Sequence, residues 1–268
     1  MSAVPPDSSP IAGPAGDAWQ NLSRFTPARI ALGRAGGSLR TESVLDFRLS
    51  HARAKDAVHR AFNAATVGEQ LSAAGLPHLR LQSTARDRSS FLRRPDLGRA
   101  LHPESRELVE QLSRGLGSVD LLIIISDGLA ADAAHLHAAA TAIPLAREFL
   151  LLGWRIAPIV VVPFGRVKLQ DEIGASMAAR FSVMLLGERP GLGTPDSLGA
   201  YLTARPSPDC TDADRNCVSN IRPGGLPPEV AANRLRWLIG ESNRTGRRGI
   251  QLKDLSGPGH LRSDHSLE

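Results

Sequence analysis

A short polar loop that follows an apolar run holds the residues best suited to bind a ligand. The run is Phe-Ser-Val-Met-Leu-Leu, residues 181–186, and the loop is Gly187-Glu188-Arg189-Pro190-Gly191-Leu192. A buried strand that ends in such a turn places a carboxylate and a guanidinium at the carboxyl edge of a sheet, where ligands bind in open α/β folds. The glycines allow close approach to the backbone, and the proline stiffens the loop. The loop therefore predicts a binding site without naming its ligand.

Two further polar loops also follow apolar runs. The first, Ser-Asp-Gly-Leu, contains Asp127, which either caps the next helix or lies at a ligand crevice. The second, Phe-Gly-Arg-Val-Lys, is either a plain connection or a binding turn. In a binding turn, Arg166 and Lys168 would face anions, and Val167 would offer an apolar contact. Right-handed crossovers between parallel strands would place all of these loops at one edge of the sheet.

A fourth polar segment, residues 211–226, is dense in hydrogen-bonding side chains. This density predicts either an extensively bonded loop or a short helix at a polar interface. The segment contains Cys217, and a lone cysteine is usually a small buried apolar residue. Its polar neighbours Asn216 and Ser219 leave a functional role open. The other cysteine is Cys210, and the spacing of the pair matches neither a disulfide framework nor a metal-binding set.

These loops need a scaffold, and the sequence predicts one from alternating strands and helices. Strands are predicted over 79–83, 119–126, 156–163 and 181–186, and helices over 43–65, 103–112, 130–151, 169–179 and 228–242. The last three strands are continuously apolar, which is typical of parallel strands buried on both faces. The stretch 26–40 has too many glycines to predict a regular element.

The predicted fold class is α/β: a Rossmann-like three-layer domain with a parallel sheet, preceded by a mainly helical N-terminal segment. The helical segment covers residues 21–100, and the α/β domain covers 101–254. A disordered arm is predicted over 1–20 and a disordered tail over 255–268, because both are rich in small and polar residues.

Composition excludes several classes of protein. The 268 residues are 42% hydrophobic and 22% charged, as in soluble globular proteins. Their apolar runs are too short to span a bilayer, and residues 1–18 do not form a secretory signal. A reduced, cytoplasmic compartment and no membrane association are therefore predicted. The net charge is +5, but arginines are spread along the chain and aromatic content is 4%, which argues against nucleic acid.

Motifs for self-sufficient catalysis are missing from the sequence. Gly191-Leu192-Gly193 lacks the third glycine of a dinucleotide fingerprint, and the chain has no phosphate-binding P-loop. It also lacks a nucleophile elbow and a His-Glu-x-x-His metal pair. We therefore expect neither a catalytic residue nor a metal ligand in this chain.

Eight segments, in order from about residue 22 to 254, carry a resemblance to one known family. The chain resembles the small (light) subunit of ethanolamine ammonia-lyase, the adenosylcobalamin-dependent enzyme that converts ethanolamine to acetaldehyde and ammonia. The segments are Thr26–Arg34, His51–Val58, Ser126–Leu129, Gly165–Val167, Asp171–Gly174, Gly187–Leu192, Pro195–Gly199 and Arg215–Arg222.

The resemblance implies a role in binding rather than in the radical chemistry. In that family the small subunit supplies part of a cobalamin site shared with the large (heavy) subunit, a TIM barrel that holds most of the substrate site. By position, the implied cofactor-binding residues are Val167, Glu188 and Cys217. Arg166 and Arg189 are implied, less directly, as neighbours of the nucleotide phosphate. The 101–254 domain would then be the cobalamin-binding domain, either free in the cytoplasm or enclosed in a bacterial microcompartment.

Two other functions remain open at this point. One is a stand-alone nucleotide-binding α/β oxidoreductase, against which the missing glycine fingerprint counts. The other is a non-catalytic interaction module on the same scaffold. The chain also lacks the Asp-x-His-x-x-Gly motif with which other cobalamin domains donate a histidine to cobalt. We therefore hypothesise that the dimethylbenzimidazole of the cofactor keeps the lower axial position.

Overall fold

The computed structural model describes residues 20–26, 28–30 and 32–257. The arm predicted over 1–20 lies outside these residues except for Gln20, and so does the predicted tail beyond Gly257. Two compact units divide the chain between Arg53 and Ala54. The boundary predicted near residue 100 therefore differs from the one in the structure, because the strand near residue 79 belongs to the main sheet.

The first unit contains a small hairpin that the sequence did not predict. A 3₁₀ turn covers Gln20–Phe25, and β1 (Arg34–Ala35) pairs antiparallel with β2 (Ser38–Leu39). The glycines that argued against a regular element form the turn instead, and Gly36 adopts a φ of 62° that suits a tight hairpin. Helix α1 (Thr41–His59) follows the hairpin.

A six-stranded sheet forms the centre of the second unit. Its strands are β3 (His78–Arg80), β4 (Leu121–Ser126), β5 (Ile159–Val161), β6 (Phe181–Gly187), β7 (Leu198–Ala204) and β8 (Arg215–Ile221). They lie in the order β3-β5-β4-β6-β7-β8. The first four are parallel, whereas β7 is antiparallel to both β6 and β8. The α/β prediction is confirmed, with an antiparallel edge added.

Strand β8 corrects the prediction of a loop or short helix over 211–226. It is a strand because β7 offers it an antiparallel partner, from Thr203 opposite Arg215 to Leu198 opposite Ile221, with one irregularity in register between Leu198 and Ala200. Its side chains are mostly polar, with Val218 buried and Cys217 exposed. Local composition therefore gave no apolar strand signal, and pairing with β7 decided the conformation.

Helices cover the parallel strands on both faces. They are α2 (Ala64–Ala73), α3 (Arg88–Arg93), α4 (Pro103–Leu116), α5 (Ala131–Ala133), α6 (Ala139–Leu151), α7 (Leu169–Ser176) and α8 (Pro228–Thr245). The helix predicted over 130–151 is interrupted by a π-helical turn, Ala134–Ala138, between α5 and α6. The helix predicted over 43–65 ends earlier, at His59, and α2 begins at Ala64, where the Asn63 side chain accepts a hydrogen bond from the Ala65 N–H and caps it.

Alternate residues of the central strands enter two separate apolar cores, which makes the fold three-layered. Ile123 and Ile125 pack with α2, α6 and α8, whereas Ile124 packs with α4 and α7. Strands β7 and β8 pack against α8 on one face. Within the described ranges, no helix has the length and hydrophobicity needed to cross a membrane.

Candidate functional site

The loops after β4, β5 and β6 meet at one edge of the sheet, as predicted. The Phe164 N–H, in the loop after β5, donates to Oδ1 of Asp127, in the loop after β4, at 2.6 Å. The Leu129 N–H donates to the Gly187 carbonyl at the end of β6, at 2.9 Å. Because the strands are parallel, their carboxyl ends coincide, and hydrogen bonds tie the loops together.

Asp127 holds this edge together rather than capping a helix. Its side chain is fully buried, and Oδ2 accepts from Nη1 of Arg88 at 2.9 Å. Burial raises the pKa of Asp127, while Arg88 and the Phe164 N–H oppose that rise. The N-cap of α5 is Ala130, so the prediction of a capping role is wrong. The bond to Asp127 instead supports Phe164 in the left-handed region, with φ of 58°.

The turn after β5 directs Arg166 and Val167 into a pocket. The Arg166 N–H donates to the Gly98 carbonyl at 2.8 Å. A Cβ on Gly98 would lie 2.7 Å from the Phe164 carbonyl oxygen, so only glycine permits this approach. The guanidinium of Arg166 lies over the Phe91 ring, 4.4 Å from its centroid. The turn is therefore fixed by backbone contact and by cation–π stacking.

The pocket is open to solvent and has a volume of about 670 Å³. Tyr201 on β7 and Cys217 on β8 are paired across the strands and line it, together with Val167, Lys168 and Arg166. Val167 and Tyr201 also pack against the α4–α7 core. The pocket thus lies on the face of the antiparallel edge opposite α8.

Glu188 lies beside this pocket and begins the loop after β6. Its carboxylate accepts from the Ser197 hydroxyl and from the Asn220 N–H, the latter at 3.4 Å. A Cβ on Gly199 would lie 2.9 Å from Glu188 Oε1, so the glycine leaves room for the carboxylate. The negative charge of Glu188 acts on both Tyr201 and Cys217. The three residues implied by the resemblance, including Val167, are thus brought to one region of the sheet.

The Cys217 thiol is neutral at physiological pH. Part of Cys217 is open to solvent. The residues around the thiol nevertheless reduce its hydration, and together with the negative charge of Glu188 they raise the pKa of Cys217 to about 11. Burial likewise raises the pKa of Tyr201 to about 12. A neutral thiol is a poor nucleophile and a poor metal ligand, so Cys217 suits a contact surface. Among the described residues, no group of three or more His, Cys, Asp and Glu side chains could hold a metal ion.

A buried ion pair joins β8 to α7 beside the pocket. Arg215 on β8 binds Asp171 on α7 through both terminal nitrogens, at 2.7 and 2.6 Å. Arg215 also donates to the Thr203 hydroxyl at 3.0 Å, and Lys168 lies 3.0 Å from Asp171. This pair fixes the distance between the helix and the strand that flank the pocket.

Two of the residues that line the pocket were not predicted from the sequence. Arg99 and Tyr201 line the pocket, but neither stood in a motif that the sequence analysis singled out. Tyr201 could have been found from the strand that begins after Pro195-Asp196-Ser197, whereas Arg99 reaches the pocket only through tertiary packing. Arg189, implied near a phosphate, is exposed and is not among the residues that line this pocket.

These features define an α/β protein with a solvent-open pocket over the antiparallel edge of its sheet. The family model of the ethanolamine ammonia-lyase light chain (EutC) matches residues 16–253. The ethanolamine ammonia-lyase small subunit of Azotobacter vinelandii is 48% identical over 237 residues, covering 88% of each chain. That of Pseudomonas syringae pv. tomato is 45% identical over 251 residues, covering 93% of this chain and 88% of the relative. The chain therefore belongs to the ethanolamine ammonia-lyase small-subunit family, a family of lyase subunits, and the resemblance found in its sequence is confirmed.

Proposed function

We propose that this chain is the small subunit of an adenosylcobalamin-dependent ethanolamine ammonia-lyase and supplies part of the cobalamin site at the interface with the large subunit. The observation that carries the proposal is the convergence of Val167 and Cys217 on one pocket, with Glu188 beside it. The sequence relatives support the activity, since those compared above are named as small subunits of this lyase.

The residues at the pocket fit the proposed cofactor. Val167 offers an apolar surface for a corrin or benzimidazole edge, and the Glu188 carboxylate can accept hydrogen bonds from amide side chains of the corrin. The neutral thiol of Cys217 adds a small contact without competing for cobalt. A corrinoid is larger than a 670 Å³ pocket, so part of it would extend beyond this chain. That excess supports a site completed by a second subunit.

The proposal divides the work between the cofactor and the protein. Adenosylcobalamin supplies radical chemistry through its own cobalt–carbon bond, so the protein has to bind, orient and shield. This chain needs no acid–base pair for those tasks. Instead, Asp127 fixes the turn that carries Val167, and Ser197 fixes the carboxylate of Glu188. The substrate site would lie mostly in the large subunit.

Reconstitution tests the proposal. The full chain is purified with and without the large subunit, adenosylcobalamin is added, and acetaldehyde and ammonia are measured with ethanolamine as substrate. Activity only when both chains and the cofactor are present is the expected result. Turnover by this chain alone with a nicotinamide would instead establish the oxidoreductase alternative. No corrinoid binding in either preparation would favour an interaction module.

A further inference from the structure

The π-helical turn, Ala134–Ala138, carries two histidines that contact different parts of the molecule. Turns of this kind are rare within α-helices and are frequent at functional sites. The turn packs against α2, β6 and β7. The first histidine is His135, whose Nε2 accepts from the Asn63 N–H at 2.9 Å, just before α2. Its ring also stacks on Phe62, so His135 has a complete set of contacts that anchor α2.

The second histidine, His137, is buried, and its Nε2 has no hydrogen-bond partner in the part of the chain that the structure describes. The Thr141 hydroxyl donates to its carbonyl at 2.9 Å and holds the backbone. Nε2 lies 3.6 Å from Oδ2 of Asp196, within ion-pair distance but slightly too far for a hydrogen bond. An imidazole with its proton on Nε2 is attracted to this carboxylate whether the ring is neutral or charged.

Asp196 lies at the base of the loop that begins with Glu188. Among the described residues, its carboxylate has no ion-pair partner other than His137. The next residue, Ser197, donates from its hydroxyl to the Glu188 carboxylate. The Glu188 N–H in turn donates to the Ser197 carbonyl at 2.9 Å and closes the loop. Two consecutive residues therefore connect the π-helical turn to the carboxylate beside the pocket.

We propose that His137 is a positioning residue for Glu188: it holds Asp196 and thereby fixes Ser197, which orients the Glu188 carboxylate. The proposal rests on the proposed function only for what Glu188 binds. Burying a polar ring without a hydrogen bond is unfavourable, so packing alone does not account for a histidine at this position. Loss of the contact should let the residues before β7 shift and move the Glu188 carboxylate away from the pocket.

The first test uses the full chain without any cofactor. Burial and then the charge of Glu188 raise the pKa of Cys217 to about 11, so the pH midpoint of its labelling by iodoacetamide depends on where Glu188 lies. His137→Leu, which removes the polar atom, should lower the midpoint toward that of Glu188→Gln. His137→Gln, which keeps an N–H donor, should restore it. Asp196→Asn breaks the contact from its partly exposed side and should also lower the midpoint.

The second test measures cyanocobalamin affinity by calorimetry on the complex with the large subunit. His137→Leu should weaken binding about threefold, because a displaced carboxylate loses part of its hydrogen bonding, and His137→Gln should restore the affinity. Asp132→Asn is the matched control for both tests, since Asp132 lies on α5 next to the π-helical turn and pairs with Arg60 at 3.3 Å. It should change neither the midpoint nor the affinity.

The outcomes separate the positioning role from the proposed function. An unchanged Cys217 midpoint in both His137→Leu and Asp196→Asn would overturn the positioning role, and so would a midpoint that His137→Gln does not restore. A lowered midpoint with unchanged cyanocobalamin affinity would support the role and remove Glu188 from the cofactor site. If the unaltered complex does not bind cyanocobalamin, the cobalamin proposal fails, and the Cys217 midpoint still decides the role of His137.

Discussion

The parallel and antiparallel parts of the sheet differ in how much of their surface the helices cover. Helices cover the parallel strands on both faces, and every residue of β4 and β6 is buried. Strands β7 and β8 have α8 on one face and the pocket on the other. Polar groups are costly to bury but not costly beside an open pocket. The residues that line the pocket therefore lie where helical cover ends, and the fully covered strands provide stability.

The largest loss of stability in the antiparallel part of the sheet is expected when its buried cation, Arg215, is removed. Arg215→Met would leave Asp171 buried with only Lys168 nearby, at 3.0 Å. We expect a loss of about 3–5 kcal/mol in the free energy of unfolding, because the buried carboxylate would lose two short hydrogen bonds that Lys168 alone does not replace. Urea unfolding followed by circular dichroism measures the loss. The double variant Arg215→Met/Asp171→Leu should recover most of it, and no recovery would show that the charge is not the cause.

The pKa of the Cys217 thiol measures how strongly the pocket reduces hydration on this face of the sheet. With a pKa of about 11 instead of 9.0, its thiolate fraction at pH 8 should be about a hundredfold lower than in the unfolded chain. The raised pKa means that the folded chain keeps the proton to higher pH, so alkylation should rise through about pH 11. Iodoacetamide labelling, measured by mass spectrometry of the Cys217 peptide against pH, gives the midpoint.

Glu188→Gln provides the control for that titration. Removing the negative charge should lower the midpoint, because Glu188 contributes to the raised pKa. A midpoint near pH 9 in the unaltered protein would contradict the reduced hydration of the thiol and the effect of Glu188 on it.

Gly187→Ala probes the edge where the parallel strands end. A Cβ there would lie 2.2 Å from the Ala130 carbonyl oxygen and 2.4 Å from that of Asp127. We expect a loss of about 1–3 kcal/mol in unfolding free energy, since backbone must move to relieve the overlap. Gly193→Ala, with open space around its Cβ, is the matched control in the next loop. Equal melting temperatures for the two variants would refute the described meeting of the loops.

A smaller effect is expected when only the Glu188 charge is removed. If the proposed cobalamin site is right, Glu188→Gln should weaken cyanocobalamin binding to the two-subunit complex about tenfold, because charged hydrogen bonds are stronger than neutral ones. Calorimetry measures the affinity. Glu107→Gln, on an exposed part of α4, should have no effect. A Glu188 variant that binds as tightly as the unaltered protein would remove Glu188 from the site.

The last prediction is of no effect. No histidine is among the residues that line the pocket, within the described part of the chain. We therefore expect that ¹⁵N labelling of the protein leaves the superhyperfine splitting in the electron paramagnetic resonance spectrum of the cob(II)alamin state unchanged. Labelling the benzimidazole nitrogen should alter it. A change on labelling the protein would place a histidine on cobalt.

The sequence predicted the central parallel strands of the sheet but not the antiparallel strand β8. Strands β4, β5 and β6 were predicted because burial on both faces requires continuous apolar residues. Strand β8 was not, because one open face permits polar residues and hides the apolar pattern. Of the candidate site, Val167 and Glu188 stand at predicted strand ends, while Cys217 lies on the unpredicted strand. Their contact with a cofactor stays a prediction.

The sequence by itself determined the class of fold, the family and the loops at the ends of the parallel strands. Each depends on short segments whose pattern is visible locally. Tertiary structure alone decided that Arg215 pairs with Asp171 and that Arg99 reaches the pocket that Arg166 lines. These partners lie far apart in the chain, and a charge carries no local sign of what it will meet. Which arginines end up neutralised is therefore settled only when helices and strands pack.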